Sequence, residues 1–333
     1  MKNECAAVSV LVAVHNGEAF LDACLSSLRA QTLTDIEILC VDDGSTDATP
    51  KILRDHAAAD GRVRLFEQTN SGAGAARNHA LTYAAGTYAV IVDSDDWLSP
   101  DTLASACAAF DRGPFDGVFL QLCRYDQATG AVTSDPLPAT SLSGTDALRL
   151  RLDFRLHGLV CWKRSFLARY GFDEQGMYAD EYTACRLFIN STTLGSCTGK
   201  YFYRQHGASI TSRFSAKWFD CLPTQARIQE LIDTHALPAQ VSSNFLRTRF
   251  NTVEWLLRLV YAHKGDFSKR EFSTLKQKLS DSFNAVIHHT GRPRRFFPNS
   301  AARELKTRSM LLLTLFVHLQ EIRKRFSRNG LSP

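Results

Sequence analysis

The sequence predicts an α/β fold in which a mostly parallel β-sheet is flanked by helices and followed by a mainly helical C-terminal region. Apolar, β-rich runs alternate with amphipathic helical segments through the first 120 residues, and the connections between them are short. Strands and helices that alternate in this way form right-handed βαβ units around a parallel sheet. From about residue 216 onward the apolar pattern is mostly helical.

Five strands are predicted in the first part of the chain, because each is an apolar run that stops at polar or turn-forming residues. They cover residues 8–14, 36–41, 63–68, 88–93 and 116–123. Four helices between them have apolar side chains at helical spacing. These helices cover residues 18–31, 47–58, 75–84 and 100–110.

The rest of the chain is less regular. Residues 124–145 are turn-rich and predict a surface loop, whereas 145–213 mix helix and strand signals. We therefore predict two domains, 1–213 and 214–333, with the second mainly helical and basic.

Composition predicts a soluble protein of the cytoplasm. Of the 333 residues, 44% are hydrophobic and 22% are charged, as in ordinary globular proteins. The nine cysteines include no CxxC pair, which predicts reduced thiols and disfavours a structural zinc site. The N-terminal residues lack the cleavage region of a signal peptide, and no apolar run reaches the roughly 18 residues of a membrane-spanning helix.

Charge is distributed unevenly along the chain. Residues 1–110 hold 7 basic and 15 acidic side chains, a net charge of −8, whereas 221–333 hold 19 and 8, a net charge of +11. Apolar side chains at 305–326 fall along one face of a predicted helix, and a basic cluster at 323–328 lies at its C-terminal end. This helix either packs on its own protein or in a homodimer, or lies on an anionic membrane surface. Nucleic-acid binding is disfavoured, because the overall charge is only +5 and no binding motif is present.

Polar clusters follow three of the predicted strands at the point where each strand ends. Asn16 follows the first strand, Asp42 and Asp43 follow the second, and a run of three aspartates at 93–96 ends the fourth. In open α/β sheets, ligands bind beyond the carboxyl ends of the strands. The sequence therefore predicts a binding site at this edge.

Asp93, Ser94 and Asp95 form a DxD arrangement, with Asp96 directly after it. Carboxylates this close repel one another, and each resists ionisation unless a positive charge lies among them. Two carboxylates at positions i and i+2 can share a divalent cation, Mg²⁺ or Mn²⁺, that keeps open positions for phosphate oxygens. The alternative is an acidic turn that leads into the next helix.

Two further segments near this edge each allow two interpretations. Asp42 and Asp43 either accept hydrogen bonds from a nucleobase and a ribose, or form a plain turn before a helix. The glycine-rich segment 70–78 lacks the third glycine of a dinucleotide fingerprint. It either brings Arg77 to a phosphate or caps a helix beside a surface arginine.

Two segments farther along the chain also allow two interpretations each. Asp180 and Glu181 begin a predicted helix at 177–188, where either is a candidate catalytic base, although acidic side chains also favour a helix N-terminus without any catalytic role. Arg204 and His206 come after a strand-like run. They either meet a metal or diphosphate or are structural.

Four segments, taken together and in order, resemble glycosyltransferase family 2 of the GT-A (Rossmann-like) fold. They are VSVLVAVHNGEAFLDACLSSLRAQT, IEILCVDDGSTD, NSGAGAARNHAL and YAVIVDSDDWLSPDTL. The resemblance is strong over 6–110 and looser over 145–213. It implies inverting transfer of a sugar from a nucleotide-diphospho-sugar, UDP-linked by first choice, to a glycan or lipid-linked glycan. The bacterial members that it resembles build surface polysaccharide such as capsule or lipopolysaccharide. The membrane-surface alternative for the basic C-terminal helix would place this cytoplasmic protein on the inner face of the cell membrane as a peripheral protein.

The resemblance also implies roles for individual residues. Asp180 would be the general base, and Mn²⁺ or Mg²⁺ would be the cofactor. The donor nucleotide-sugar would be contacted by Ala13, His15, Asn16, Asp42, Asp43, Arg77, Asp93 and Ser94, and the metal by Asp95, Asp93 and His206.

Three positions depart from the family pattern. Ala13 and His15 replace the usual Pro and Tyr of the first strand, and Ala179 replaces the Glu of the usual Glu-Asp pair. This leaves Glu181 as a rival to Asp180. The alternative function is a catalytically degenerate member that binds nucleotide-sugar or acts as a scaffold. Donor sugar, acceptor, linkage and oligomeric state are not encoded in any recognisable motif.

Overall fold

The computed structural model of the chain describes residues 6–138, 141–207 and 214–290. The chain folds into two compact units. The first unit comprises Met1–Gln175 with Ala179–Arg213, and the second comprises Gly176–Tyr178 with Phe214–Pro333.

A ten-stranded sheet forms the centre of the first unit. The strands are β1 (Val8–Val14), β2 (Ile36–Asp42), β3 (Val63–Glu67), β4 (Tyr88–Ile91), β5 (Trp97–Leu98), β6 (Gly117–Asp126), β7 (Val132–Ser134), β8 (Ser141–Ser143), β9 (Val160–Lys163) and β10 (Thr193–Gln205).

The main path of the sheet has the strand order β3-β2-β1-β4-β9-β6-β10-β5. β1 to β4 are parallel, and β6 and β10 run in the same direction because the short β9 is antiparallel to both β4 and β6. The predicted mostly parallel sheet is confirmed along its main path, where β9 and β5 are the antiparallel exceptions, and the two strands off this path, β7 and β8, are also antiparallel to their neighbours. The expectation of a plain loop at 124–145 was wrong, because β6 continues to Asp126 and pairs with β7, while β8 pairs with β10.

Helices accompany these strands, and three longer ones lie in the described part of the second unit. In the first unit they are α1 (Leu21–Arg29), α2 (Thr49–Ala59), α3 (Ala73–Tyr83), α4 (Thr102–Phe110), α5 (Gly144–Leu152), α6 (Arg164–Tyr170) and α7 (Ala179–Asn190). In the second they are α8 (Cys221–Thr234), α9 (Ala239–Ala262) and α10 (Lys269–Thr290), with short 3₁₀ turns at Ala216–Asp220 and Lys264–Asp266.

The sheet register places the predicted polar clusters at one edge. β1 and β2 are almost fully buried, which explains their unbroken apolar sequences. Val14 pairs with Asp42 at the ends of these strands, and Leu11 pairs with Ile91 in the shorter β4. The loops that follow β1, β2 and β4 therefore leave the sheet side by side.

The second unit has its own apolar core. Side chains of α9 such as Phe250 and Leu257 pack with Leu279 and Phe283 of α10, all of them buried. The predicted basic helix at 305–328 lies outside the described residues. Within the described part of the chain, no helix has the length and hydropathy required to cross a bilayer.

Candidate functional site

Asn16 joins the loop after β1 to the loop after β2. Its backbone has a φ of +53°, and its N–H donates to Ser45 Oγ at 2.9 Å. Its side-chain oxygen accepts from the Thr46 N–H at 2.9 Å, while the Gly17 N–H donates to Thr49 Oγ1 at 2.8 Å. A left-handed backbone is tolerated by asparagine better than by most residues. Asn16 therefore fixes two loops of the predicted site relative to each other.

Asp42 ends β2 with its side chain buried beside the start of the turn. Its Oδ1 accepts the Ser45 N–H at 2.9 Å, and its Oδ2 has no hydrogen-bond partner among the described residues. Ala13, half-buried, lies in the neighbouring strand opposite Val41. One carboxylate oxygen thus remains available for a donor group of a ligand.

Asp43 holds the loop before α3 by hydrogen bonds, and we call this arrangement the clasp. Its buried carboxylate accepts three hydrogen bonds, each of 2.8 Å, from Gln68 Nε2, the Ser71 N–H and the Gly72 N–H. Gly72 adopts a φ of +92°, which suits glycine alone. The structure therefore directs Asp43 toward this loop, which leads to Arg77.

His15 lies exposed at the outer rim of the same edge. Its Nδ1 is 2.9 Å from the carbonyl oxygen of Asp43, an arrangement that requires the proton on Nδ1. Its Nε2 is then an acceptor, 3.2 Å from the side-chain nitrogens of both Asn16 and Asn70. The imidazole is held in one orientation beside the loop after β2.

Arg77 forms an ion pair with Asp93 of the predicted DxD segment and lies within electrostatic range of Asp180 at the start of α7. Its Nη2 donates to Asp93 Oδ1 at 2.6 Å, and its side chain is only 16% exposed. Burial opposes the charge of Arg77, but Asp93, and more weakly Asp180, raise the pKa of Arg77 above its usual value. Asp180 is exposed and makes no hydrogen bond or ion pair within the described residues. The structure thus brings Arg77, Asp93 and Asp180 into one electrostatic cluster.

Glu181, the other candidate for the catalytic base, is paired with an arginine. Its carboxylate forms an ion pair with Arg151 of α5, whose side chain is 18% exposed. Burial raises the pKa of Glu181, and the charge of Arg151 offsets part of that increase. The two adjacent acids therefore differ, because Asp180 is free at the surface and Glu181 is held by a cation.

Asp95 and His206 meet although they are far apart in sequence. His206 Nε2 lies 3.0 Å from Asp95 Oδ2, and the imidazole packs on the ring of Phe20 with centroids 4.6 Å apart. Its Nδ1 is buried and has no hydrogen-bond partner among the described residues. Ser94, the residue before Asp95, is half-buried. No group of three His, Cys, Asp or Glu side chains in the described ranges is arranged to hold a metal, so this pair is a two-ligand candidate.

Asp96 anchors the DxD segment to β10. Its carboxylate is 1% exposed and accepts the Tyr201 O–H at 2.8 Å and the Arg204 N–H at 2.8 Å. The same Tyr201 oxygen accepts the Asp93 N–H at 3.1 Å. Asp96 is therefore a structural acid within the predicted metal-binding run.

Arg204 supports this segment from the opposite side. Its Nε donates to the carbonyl oxygen of Asp95 at 2.8 Å, and its guanidinium lies 4.7 Å from the ring centroid of Phe20 and 4.5 Å from that of Trp97. The sequence placed Arg204 near a metal or diphosphate but did not single out Tyr201. Alternation along β10 gave no signal for it, because Tyr201 falls on the opposite face of the strand from Arg204.

We expect the substitution Asp96→Asn to flatten the pH dependence of stability. Burial, with the charge of Asp93 added, raises the pKa of Asp96 from 3.8 to about 8. The folded protein therefore keeps a proton that the unfolded chain releases, and this stabilisation is full below about pH 4 and lost as the pH rises through about 8. Melting temperatures measured in EDTA across this interval would show it. The exposed Asp111→Asn is the control, and an unchanged slope for Asp96→Asn would contradict the assignment.

Comparison with protein families identifies one match. The profile of the family described as Glycosyl transferase family 2 matches residues 9–174. EpsH of Bacillus subtilis (strain 168), assigned provisionally as a glycosyltransferase, is 32% identical over 231 residues, which are 65% of this chain and 66% of EpsH. The chain thus spans slightly less than two thirds of that relative, and 27% and 14% of the next two.

Solved structures share the fold. TarS 1–349 of S. aureus, in complex with UDP-GlcNAc, has a TM-score of 0.66 and 21% identity, with 97% of this chain and 92% of that chain covered. The mannosyltransferase PcManGT of Pyrobaculum calidifontis, in complex with GDP-Man and Mn²⁺, has a TM-score of 0.51 and 18% identity, with 95% and 87% covered. At these identities the likeness shows the fold alone, and it confirms the predicted fold class.

Proposed function

Because the chain belongs to glycosyltransferase family 2 through its residues 9–174, we propose that it is an inverting sugar transferase that uses a nucleotide-diphospho-sugar. The observation that carries this proposal is the cluster of Arg77, Asp93 and an unpartnered Asp180 at the carboxyl edge of the sheet. The acceptor in this proposal is a hydroxyl group of a glycan or lipid-linked glycan in bacterial surface polysaccharide synthesis.

The donor nucleotide would bind beside the loops after β1 and β2. The free Oδ2 of Asp42 can accept an N–H of the base, and His15 with Asn16 forms the rim beside it. Arg77 balances Asp93 and supplies a positive charge for the diphosphate. UDP is the first choice of nucleotide, which agrees with the UDP and UDP-GlcNAc complexes of TarS.

Asp95 and His206 are the residues that fit a divalent cation. A carboxylate oxygen and an imidazole nitrogen 3.0 Å apart are a donor set that suits Mn²⁺, and a carboxylate also suits Mg²⁺. The ion would offset the negative charge that develops on the departing nucleoside diphosphate. Asp93 is beside this pair but is neutralised by Arg77, so its direct contact with a metal stays a prediction.

Asp180 is the proposed general base. It would accept the proton of an acceptor hydroxyl while that oxygen forms a bond to the anomeric carbon. The bond from this carbon to the diphosphate oxygen breaks, and its electron pair leaves with the nucleoside diphosphate. One displacement from the opposite face inverts the configuration.

Calorimetric titration with UDP and GDP, in Mn²⁺ and then in EDTA, tests the donor site. We expect one nucleotide to bind, and both EDTA and Asp95→Ala to weaken it about tenfold or more, because the ion would supply positive charge for the diphosphate. The exposed Asp111→Ala is the matched control.

If neither nucleotide binds under any condition, the transferase proposal is wrong. If nucleotide affinity does not change in EDTA or in Asp95→Ala, a metal ion takes no part in donor binding and that part of the proposal is wrong. Binding without turnover by any acceptor preparation would favour the degenerate, scaffold alternative.

A further inference from the structure

Phe154 occupies a backbone position that normally belongs to glycine. It follows α5 with a φ of +57°, and its N–H donates to the Arg151 carbonyl at 2.9 Å. The next N–H, of Arg155, donates to the Leu150 carbonyl at 2.8 Å. This pair of hydrogen bonds is the Schellman ending of a helix, in which the left-handed residue is usually glycine.

The side chain of Phe154 is mostly exposed, so little packing offsets the cost of this backbone conformation. A bulky residue is disfavoured in the left-handed region, and this ring is 77% exposed. The end of α8 has the same geometry at Ala236, with a φ of +47° and hydrogen bonds from Ala236 to Asp233 and from Leu237 to Ile232. There the position holds a small side chain. A strained, exposed aromatic residue points to a function, since such strain concentrates at functional sites.

The loop that carries Phe154 is tied to the helix of the candidate base. Arg151 Nη1 donates to the Leu156 carbonyl at 3.1 Å, which fixes the far side of the loop. The same guanidinium forms the ion pair with Glu181, the neighbour of Asp180 in α7. Because α5 and α7 pack against each other, one arginine sets the position of both the loop and the first turn of α7.

We propose that Phe154 is a stacking platform for a pyranose ring of the acceptor glycan, a role that rests on the proposed transferase function. The C–H groups on one face of a pyranose are weakly positive and apolar, and the face of an aromatic ring is negative. Such contact orients the sugar without requiring charge. It would hold the acceptor beside Asp180, whose carboxylate is free to take the hydroxyl proton.

The test separates this role from a structural one by replacing Phe154 with the residue that the backbone prefers. Phe154→Gly relieves the left-handed strain, so its melting temperature should equal or exceed that of the wild type. Ala236→Gly makes the same backbone change at the matched helix end without removing a ring. A marked fall in the melting temperature of Phe154→Gly alone would mean that the ring is structural, and would overturn the proposal.

Binding is read by saturation-transfer NMR with a panel of methyl pyranosides in the presence of UDP and Mn²⁺. We expect at least one pyranoside to bind the wild type and Ala236→Gly, and to bind Phe154→Gly about tenfold more weakly, with Phe154→Trp retaining it. If no pyranoside binds the wild type, or if Phe154→Gly binds as well as the wild type, the proposal is wrong. Calorimetry with UDP keeps the two hypotheses apart, because failure of the donor site abolishes UDP binding, whereas failure of the platform leaves it intact.

Discussion

Replacement of Asp180 with asparagine is expected to lower kcat about a thousandfold, while the affinity for UDP and the melting temperature stay close to those of the wild type. The amide cannot accept the proton of the acceptor hydroxyl. Asp180 is exposed and has no hydrogen bond or ion pair within the described residues, so the substitution breaks no such contact there. The measurement is the release of nucleoside diphosphate from the donor, with and without acceptor.

Glu181→Gln is the control for this prediction. It leaves the Arg151 guanidinium, which is largely buried, without its counter-charge, so we expect a lower melting temperature and a loss of kcat below about tenfold. The reverse pattern, with Asp180→Asn active and Glu181→Gln inactive at unchanged fold, would assign the base to Glu181.

The substitution Asp43→Ala is expected to lower the free energy of unfolding by about 3 kcal/mol, because it removes a buried carboxylate that accepts three hydrogen bonds. Two of these donors, the N–H groups of Ser71 and Gly72, shape the loop before α3. We therefore expect UDP binding to weaken as well, since that loop sets the position of Arg77.

Denaturant unfolding of Asp43→Ala beside Asp47→Ala measures this effect. Asp47 is a half-buried acid of the neighbouring turn that accepts the Thr49 N–H at 2.9 Å and the exposed Glu18 N–H at 3.1 Å, so its loss should cost about 1 kcal/mol. Equal losses for the two variants would show that the clasp is not a major source of stability.

The parallel half of the sheet could be predicted almost to the residue. β1 and β2 are long apolar runs that end at polar turns, and their burial on both faces makes that pattern unambiguous. β9 could not be found in this way. It has only four residues, Val160–Lys163, and it is held by pairing to β4 and β6, which are distant in sequence.

The site was predictable as a set of residues but not as a set of contacts. Three aspartates that look alike in the sequence have different roles in the fold. Asp43 binds the loop before α3, Asp95 contacts His206, and Asp96 is buried against Tyr201. The direction of each carboxylate depends on donors that arrive from other strands. Sequence therefore identified the edge of the sheet, and only the fold could assign a partner to each acid.

The anchoring of Asp96 by β10 has a consequence for biosynthesis. Tyr201 and Arg204 lie 105 and 108 positions after Asp96 in the chain. Bringing the two ends of so long a segment together lowers the conformational entropy of the chain. This cost is offset only when β10 has paired with β6 and β5. While a ribosome is still adding residues before β10, the acids of the DxD run have neither their tyrosine nor their arginine. We expect a nascent or truncated chain that ends before residue 193 to bind no nucleotide. The ability to bind nucleotide would then arise in one step, after β10 has been synthesised.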